Sequence, residues 1–568
     1  MWQEYFLNRI RGALGEHLGE MPEQAFTAMV ASWIYDVTGN QADEWWEILD
    51  SLPGSMEGQI QRFVDEMSGC FIENLEFLER YDELGPMIED LRRRYTDGGW
   101  NATKLRFQEN PHYAFFVRHV QRELVLTVPL LCLLGGEMSG DMFGIGATMS
   151  LNPDARVLIM RGTDLALDHT GDIEGFLKTC DPTRVYVSTK DKKAKNLKIT
   201  EIFKTAREIF LPMPYYLGTL YLSIQGYWKD TQARSWIRED WGVSDTGGFW
   251  NQCPTLVSWL VDTGLPFEEM KGEKVLVLWS RFTGKKGEIH VEHDTSFTGV
   301  EQLALEALGL GYYVIITGDP PVVHLEAKEG RARKFDVICE KLNASFKSPR
   351  IFNLTNFWKK GSWEGTFGKG RIHQFRLYEL LHRACDTRHL GMRSGNLEAM
   401  ALMGFCVRYM EEVNSQGGER MSAWHSIGLG YERILLKRPP TRTGQWVIQQ
   451  YQGKTYPKKI NWIAARNQGV QGTIGDPSKV KAKAKPQNER SKKKVESRSN
   501  VNDEVPSVDF LPDMELEPKK KEDEKPSLDG LKSGFAKTDR AQVREFLASQ
   551  NRCPVFETLP VNWRSQLI

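Results

Sequence analysis

A short polar turn at residues 391–396, with the sequence GMRSGN, carries the residue types best suited to binding chemistry. It lies between a predicted strand and a predicted helix, whose first N–H groups and dipole attract an anion. Arg393 adds a forked positive charge and Ser394 adds a hydroxyl donor. Glu398, one turn inside the helix, is placed to accept hydrogen bonds from a ribose. The turn predicts a site for a phosphorylated ligand, although an ordinary helix start capped by Ser394 or Asn396 explains the same residues.

Apolar spacing predicts the elements that position this turn. Residues 377–384 repeat apolar side chains every three or four positions, as one buried face of a helix does. A second helix begins at Leu397, and a strand follows from Val407 to Met410. Upstream, the runs VLVLWSR and YYVIITGD are strands separated by an amphipathic helix. Strands alternating with helices favour a parallel sheet with ligands at the carboxyl ends of its strands, where these polar turns lie.

The helix, the G-x-R-S-G-x-x-E turn and the next helix resemble the nucleotide-sugar half of GT-B glycosyltransferases, over about residues 271–424. In that family two Rossmann-like domains face each other, and the C-terminal one binds the nucleotide diphosphate. The resemblance implies a nucleotide-diphosphate sugar as donor, and a glycan, a protein or a small molecule as acceptor. The donor contacts that it implies are Arg281, Lys285, Gly391, Arg393, Ser394, Gly395 and Glu398. A solvated lysine loop is the alternative for Lys285.

Sugar transfer also needs a base for the acceptor hydroxyl. Candidates follow the second strand of the acceptor side, at Asp164, Asp168 and His169, and the last two are equally explained as turn residues. GT-B enzymes generally need no bound metal, and no D-x-D tract follows a strand here, so no metal and no cofactor is expected. Residues 279–281 and 392–394 follow the donor motifs of inverting fucosyltransferases only in part, which leaves the transferred sugar open.

The chain of 568 residues divides into four predicted regions. These are a helical region at 1–120, an α/β acceptor-side domain at 121–268, an α/β donor domain at 269–475 and a disordered charged tail at 476–568. The predicted fold class is therefore α/β, with two facing Rossmann-like domains. Gly144 and Gly146 predict a poor helix after the first strand. The aromatic stretch 215–250 is interpreted as core packing, with an acceptor groove as the alternative.

Composition narrows the class of protein. A net charge of −1, with 40% apolar and 11% aromatic residues, is typical of a globular enzyme and argues against nucleic acid as the main partner. The eight cysteines are scattered singly, which favours a reducing compartment. The N-terminus lacks the pattern of a signal peptide, and the most apolar run is too short to span a bilayer. We therefore expect a cytoplasmic protein, with a nuclear location open through RSKKK in the tail.

Two other functions remain open from the sequence. The α/β pair can be a non-catalytic scaffold in which the helical region and the tail bind partners. The Lys-rich tail can bind nucleic acid, which the near-neutral overall charge disfavours. Residues 476–530 lack an apolar face, so truncation after Gly475 is expected to leave turnover intact. Residues 538–549 are the exception, since Val543, Phe546 and Leu547 fall on one side of a short helix.

Overall fold

The computed structural model describes most of the chain and supports a mixed α/β architecture with parallel sheets. The described residues are 1–98, 110–162, 168–225, 231–244, 248–281, 295, 297–319, 334–355, 362–367, 371–412, 431–436, 446–451, 454–459, 535 and 537–549. Among these residues, no helix has the length and apolarity that crossing a membrane requires. The cysteines that they include are all free thiols.

The N-terminal region is built from the helices α1 (Trp2–Leu14), α2 (Glu23–Thr38), α3 (Ala42–Asp50), α4 (Glu57–Arg80), α5 (Leu84–Gly98) and α6 (Pro111–Thr127). Apolar residues at helical spacing, such as Val64, Met67 and Phe71 in α4, are fully buried. Gly39 ends α2 in the left-handed conformation, and a Cβ there would lie 2.4 Å from Pro214 Cγ in the first sheet. The region therefore packs closely against that sheet.

The first sheet contains β1 (Leu130–Gly135), β2 (Arg156–Arg161), β3 (Val185–Thr189) and β4 (Leu211–Pro214), joined by α7 (Met142–Leu151), α8 (Thr170–Cys180) and α9 (Lys192–Ala206). Neighbouring strands are parallel, in the order β3-β2-β1-β4. Leu131 and Leu133 share a core with the N-terminal helices, whereas Cys132 and Leu134 belong to the core on the other face. The strand β1 is therefore buried on both faces, as a central strand of a parallel sheet is.

The helix α7 forms although its glycines predict a weak one. A Cβ at Gly144 would lie 2.7 Å from Thr219 Cγ2, and a Cβ at Gly146 would lie 2.9 Å from Phe176 Cε1. Tertiary packing outweighs helix propensity here, because the glycines let neighbouring helices approach α7.

A group of helices connects the two sheets: α10 (Tyr215–Gly218), α11 (Leu220–Gln225), α12 (Thr231–Asp240), α13 (Phe249–Asp262) and α14 (Phe267–Met270). Tyr221, Trp241 and Phe249 are buried, which confirms the interpretation as core packing for these rings. Tyr216 and Trp236 differ from them, with 50% and 42% of their surface exposed.

The second sheet contains β5 (Lys274–Ser280), β6 (Tyr313–Gly318), β7 (Ile351–Asn353), β8 (Asp386–Met392), β9 (Val407–Glu412) and β10 (Tyr431–Leu436). Its helices are α15 (Phe297–Gly309), α16 (Lys334–Asn343), α17 (Ser362–Phe367), α18 (Arg371–Ala384) and α19 (Gly395–Leu402). All pairs are parallel, in the order β10-β9-β8-β5-β6-β7. Read from β7, the strands follow the order 3-2-1-4-5-6 of dinucleotide-binding Rossmann domains.

One apolar core lies between the two sheets. Val275, Val277 and Trp279 of β5 share it with Cys132 and Leu134 of β1, together with residues of α7, α18 and α19. The two α/β units are therefore joined through packed helices, and α7 of the first unit contacts α19 of the second.

The C-terminal part of the chain adds an antiparallel hairpin, β11 (Trp446–Tyr451) and β12 (Lys454–Lys459), and a helix α20 (Lys537–Ala548). Val543, Phe546 and Leu547 of α20 are buried in the outer core of the second sheet, which confirms the short helix read from the sequence. The expectation that truncation after Gly475 leaves turnover intact stays a prediction, but that truncation also removes the packed helix α20. Residues 476–534 lie outside the described part of the chain.

Candidate functional site

The carboxyl ends of β5 and β8 place two arginines at equivalent positions of neighbouring strands. These strands are the first and fourth of the second sheet and are direct neighbours, with Trp279 opposite Gly391. In an open parallel sheet, the crevice between strands whose connections leave in opposite directions is where ligands bind. Arg281 and Arg393 each lie two residues beyond that matched pair. The structure thus joins two positions that are 112 residues apart in the sequence.

Arg393 has a structural partner that the sequence did not suggest. Its Nη1 donates to Glu411 Oε1 at 2.7 Å, and Glu411 is only 1% exposed. Arg433 approaches the other oxygen of Glu411 at 3.6 Å. A buried carboxylate requires such partners, so part of the Arg393 guanidinium is committed to the fold. The tandem glutamates that end β9 are the sequence signal that could have identified this pair.

Ser394 acts as the N-cap of α19, because its Oγ accepts from the backbone N–H of Leu397 at 3.3 Å. Its carbonyl accepts from the N–H of Glu398 at 3.0 Å. Within the described residues, no hydrogen bond is recorded from the backbone N–H groups of Gly395 and Asn396. Both residues are partly exposed, so a ligand can reach these donors at the positive end of the helix.

Gly391 lies inside β8 and not in the turn predicted at residues 391–396. It pairs with Trp279 on one side and with Tyr409 on the other. A Cβ at Gly391 would lie 2.7 Å from Trp279 Cβ, so a larger residue would press on β5. Glycine is required there by strand packing.

Glu398 is 1% exposed and points between the two α/β units. A Cβ on Gly144 of α7 would lie 3.7 Å from Glu398 Oε1, which places the carboxylate beside the first unit. This burial contrasts with the expected position beside an accessible ribose.

The loops after β1 and β8 meet at a glycine pair. A Cβ on Gly395 would lie 2.1 Å from the Gly140 carbonyl oxygen, whereas a Cβ on Gly140 would lie 3.7 Å from the nearest atom of Gly395. The carboxyl edges of the two sheets therefore approach each other at the start of α19. Only glycine at position 395 permits this contact.

Arg281 follows β5 directly and is half-buried. Its carbonyl accepts from the N–H of Thr295 at 2.8 Å. The preceding Ser280 Oγ donates to the Asp319 carbonyl at 2.5 Å, and the Asp319 N–H returns a bond to Ser280 at 3.0 Å. These bonds fix the backbone from which Arg281 extends. Lys285 lies outside the described residues.

Asp168 lies at the carboxyl edge of the first sheet, beside Gly136. Its Oδ1 accepts from Thr170 Oγ1 at 2.5 Å and from Thr170 N at 3.1 Å, and Arg161 lies 3.5 Å from Oδ2. The hydrogen bond from the Thr170 hydroxyl, more than the nearby Arg161, holds the pKa of Asp168 below its ordinary value. A carboxylate with a lowered pKa is a weaker proton acceptor than an ordinary one, and the role of Asp168 as a base stays a prediction.

His169 is next to Asp168, and half of its side chain is exposed. Its backbone N–H donates to the Gly136 carbonyl at 2.9 Å, which ties the start of α8 to the loop after β1. The ring nitrogen Nδ1 lies 4.0 Å from Asp172 Oδ2. The structure thus places two of the three base candidates, Asp168 and His169, beside Gly136 in the loop after β1. The third candidate, Asp164, lies outside the described residues.

Glu137 and Lys190 form a charged pair at the same edge, with Nζ 2.5 Å from Oε1. Partial burial raises the pKa of Glu137. The hydrogen bond from Lys190, a backbone hydrogen bond and the charge of Lys190 together outweigh burial, so the pKa of Glu137 is lowered.

A buried chain of ring nitrogens lies behind Arg281. Trp279 Nε1 donates to His389 Nδ1 at 3.0 Å, and His389 Nε2 lies 3.0 Å from His382 Nε2. Because an indole can only donate, His389 Nδ1 must accept, and its proton lies on Nε2. Burial lowers the pKa of His389 to about 3. The pKa of His382 is lowered well below its usual range by burial and, to a smaller extent, by the neighbouring His389 and Arg238. The lowered pKa values favour neutral rings, and His389 accepts the hydrogen bond that orients the Trp279 side chain.

No family model matches the chain, and no curated protein matches it. Among solved structures, the chain is similar to ADP-heptose LPS heptosyltransferase II of E. coli, at 11% sequence identity and a TM-score of 0.26. The match covers 50% of this chain and 86% of that one.

Proposed function

We propose that the chain transfers a sugar from a nucleotide-diphosphate donor to an acceptor hydroxyl, without a bound metal. The observation that carries the proposal is the meeting of two parallel-sheet edges at Gly140 and Gly395. Each edge is the side of a parallel sheet on which ligands bind. A reaction between two bound substrates needs two such sites close together.

The donor side supplies positive charge where the leaving diphosphate would develop negative charge. We assign this role to Arg281, to Lys285 and to the backbone N–H groups of Gly395 and Asn396. Arg393 contributes mainly through its pair with Glu411, which fixes the start of the turn against β9. Ser394 caps the helix whose N–H groups face the donor.

The acceptor side supplies the base. His169 suits this role because its ring is half exposed and a neutral imidazole nitrogen can accept the hydroxyl proton. Asp172, at 4.0 Å, is placed to stabilise the ring once it is charged. Asp168 instead orients the start of α8 through Thr170.

Hydrolysis and transfer assays with UDP-, GDP-, ADP- and CMP-sugars test this function. We expect release of the nucleotide from one class of donor, and a loss of at least tenfold in His169→Gln and in Arg281→Ala. Asp154→Asn, an exposed change before β2 at the opposite edge of the first sheet, is the matched control and should retain activity. Absence of turnover with the whole panel would contradict the proposal.

A non-catalytic scaffold is the second candidate, and one observation favours it. Gly140 fills the space beside the Gly395 Cα, while Glu398 is buried between the units. A contact this close stabilises a fixed arrangement of the two units. A scaffold of this kind predicts that nucleotide sugars neither bind nor turn over.

A further inference from the structure

We propose that the outer face of the second sheet is a helix-binding groove, and that the chain's own C-terminal segment, residues 535–549, occupies it as a separable ligand. The groove is formed by α15, by Tyr312 just before β6 and by β8, β9 and β10. This surface lies on the face of the sheet opposite the core shared by the two units.

Apolar contacts provide the first part of the recognition. Val543, Phe546 and Leu547 are at most 4% exposed and share a core with Leu276 and Leu278 of β5. Phe535, just before the helix, is buried in the same core. One face of an amphipathic helix thus lies on the sheet, as in helix-in-groove complexes.

Two arginines of the sheet hold the end of the helix. The guanidinium of Arg388 lies 5.4 Å from the centre of the Phe546 ring, and that of Arg408 lies 4.8 Å from it. Arg388 also donates to the Phe546 carbonyl, to Ser549 Oγ at 3.0 Å and to the Ser549 carbonyl at 2.5 Å. Tyr312 Oη donates to the Leu547 carbonyl at 2.8 Å. A cation at a helix C-terminus satisfies carbonyls that have no partner within the helix.

A buried carboxylate holds the other half of the helix. Glu306 of α15 is 7% exposed and accepts from Arg540 Nη1 at 3.2 Å and from Arg544 Nε. The two arginines are four residues apart, so both lie on the same helix face. Gln302 Oε1 accepts from the Phe535 N–H at 2.7 Å. Within the described part of the chain, Glu306 forms its ion pairs with Arg540 and Arg544 of α20.

These contacts come from side chains of elements that precede α20 by more than a hundred residues, so a separate peptide with the sequence of α20 carries the groups that they bind. The pairing of Glu306 with two arginines offers a direct test by charge reversal in the full-length chain. Glu306→Arg should release the helix, and hydrogen exchange of the amides at 537–548 should accelerate at least tenfold. Adding Arg540→Glu and Arg544→Glu to the same chain should restore protection.

The released groove should then accept the helix from solution. A fluorescent peptide of residues 533–551 carrying Arg540→Glu and Arg544→Glu should bind full-length Glu306→Arg at least tenfold more tightly than the unaltered peptide. The same peptide with Phe546→Ala added is the matched control and should bind at least tenfold more weakly. Unchanged exchange in Glu306→Arg, no restoration by the double reversal, or no preference between the two peptides would each overturn the proposal.

Discussion

At the scale of single residues, Arg393 has a structural partner besides its predicted role at the donor. Its 2.7 Å pair with buried Glu411 predicts a clear loss of stability in Arg393→Ala. Removing one partner of a buried pair costs about 3–5 kcal/mol, and Arg433 beside Glu411 should reduce that cost. Urea unfolding measures it.

The control for this prediction is the double variant Arg393→Ala with Glu411→Gln. It removes the unpaired charge and should regain part of the lost stability. Equal stability of wild type and Arg393→Ala would contradict the assignment of a structural pair.

The neutral pair His382 and His389 predicts a pH dependence. The pKa of each is lowered in the folded chain, so the unfolded chain binds protons first as the pH falls. Their contribution to stability is present above the unfolded pKa of about 6.5 and is lost as the pH falls towards about 3. Unfolding free energies at pH 7.5, 6.5 and 5.5 should fall more steeply in the wild type than in His382→Phe. Equal slopes would contradict the prediction.

At the scale of elements, the contact between the loops after β1 and β8 predicts unequal effects of replacing its two glycines by alanine. Gly395→Ala places a Cβ 2.1 Å from the Gly140 carbonyl oxygen and must force the loops apart. Gly140→Ala meets its nearest neighbour at an ordinary 3.7 Å and serves as the matched control. We expect Gly395→Ala to lower the melting temperature by several degrees and to weaken donor binding, and Gly140→Ala to change both far less. Equal effects would show that the loops do not hold this contact.

Elements with strong periodicity could be predicted from the sequence, including the buried face of α18 and the strand β9. The sequence predicts a turn at Gly391 because glycine near the end of a strand is typical of turns. Only its close approach to Trp279 shows that glycine is needed inside β8. The helix α7 was underestimated because its glycines serve packing against Thr219 and Phe176. Partners distant in sequence, such as Arg388 with Ser549, leave no local signal.

At the scale of the whole molecule, we predict different outcomes for two deletions in the C-terminal region. Truncation after Gly475 removes α20 and exposes Leu276, Leu278 and their neighbours, so we expect a lower melting temperature and aggregation. Internal deletion of residues 476–530 retains α20 and should preserve melting and turnover. Melting curves of both variants beside the full chain measure this. Equal behaviour of the two would show that α20 does not stabilise the second sheet.

We propose above all that the facing sheet edges bind a nucleotide-diphosphate sugar. Calorimetric titration of the full-length chain with UDP-, GDP-, ADP- and CMP-sugars is the most direct test of this binding. We predict saturable binding of one donor class, at least tenfold weaker in Arg281→Ala, and a stabilisation of about 2.7 kcal/mol at a hundred times the dissociation constant. No binding across the panel, or binding that Arg281→Ala leaves unchanged, would contradict the account.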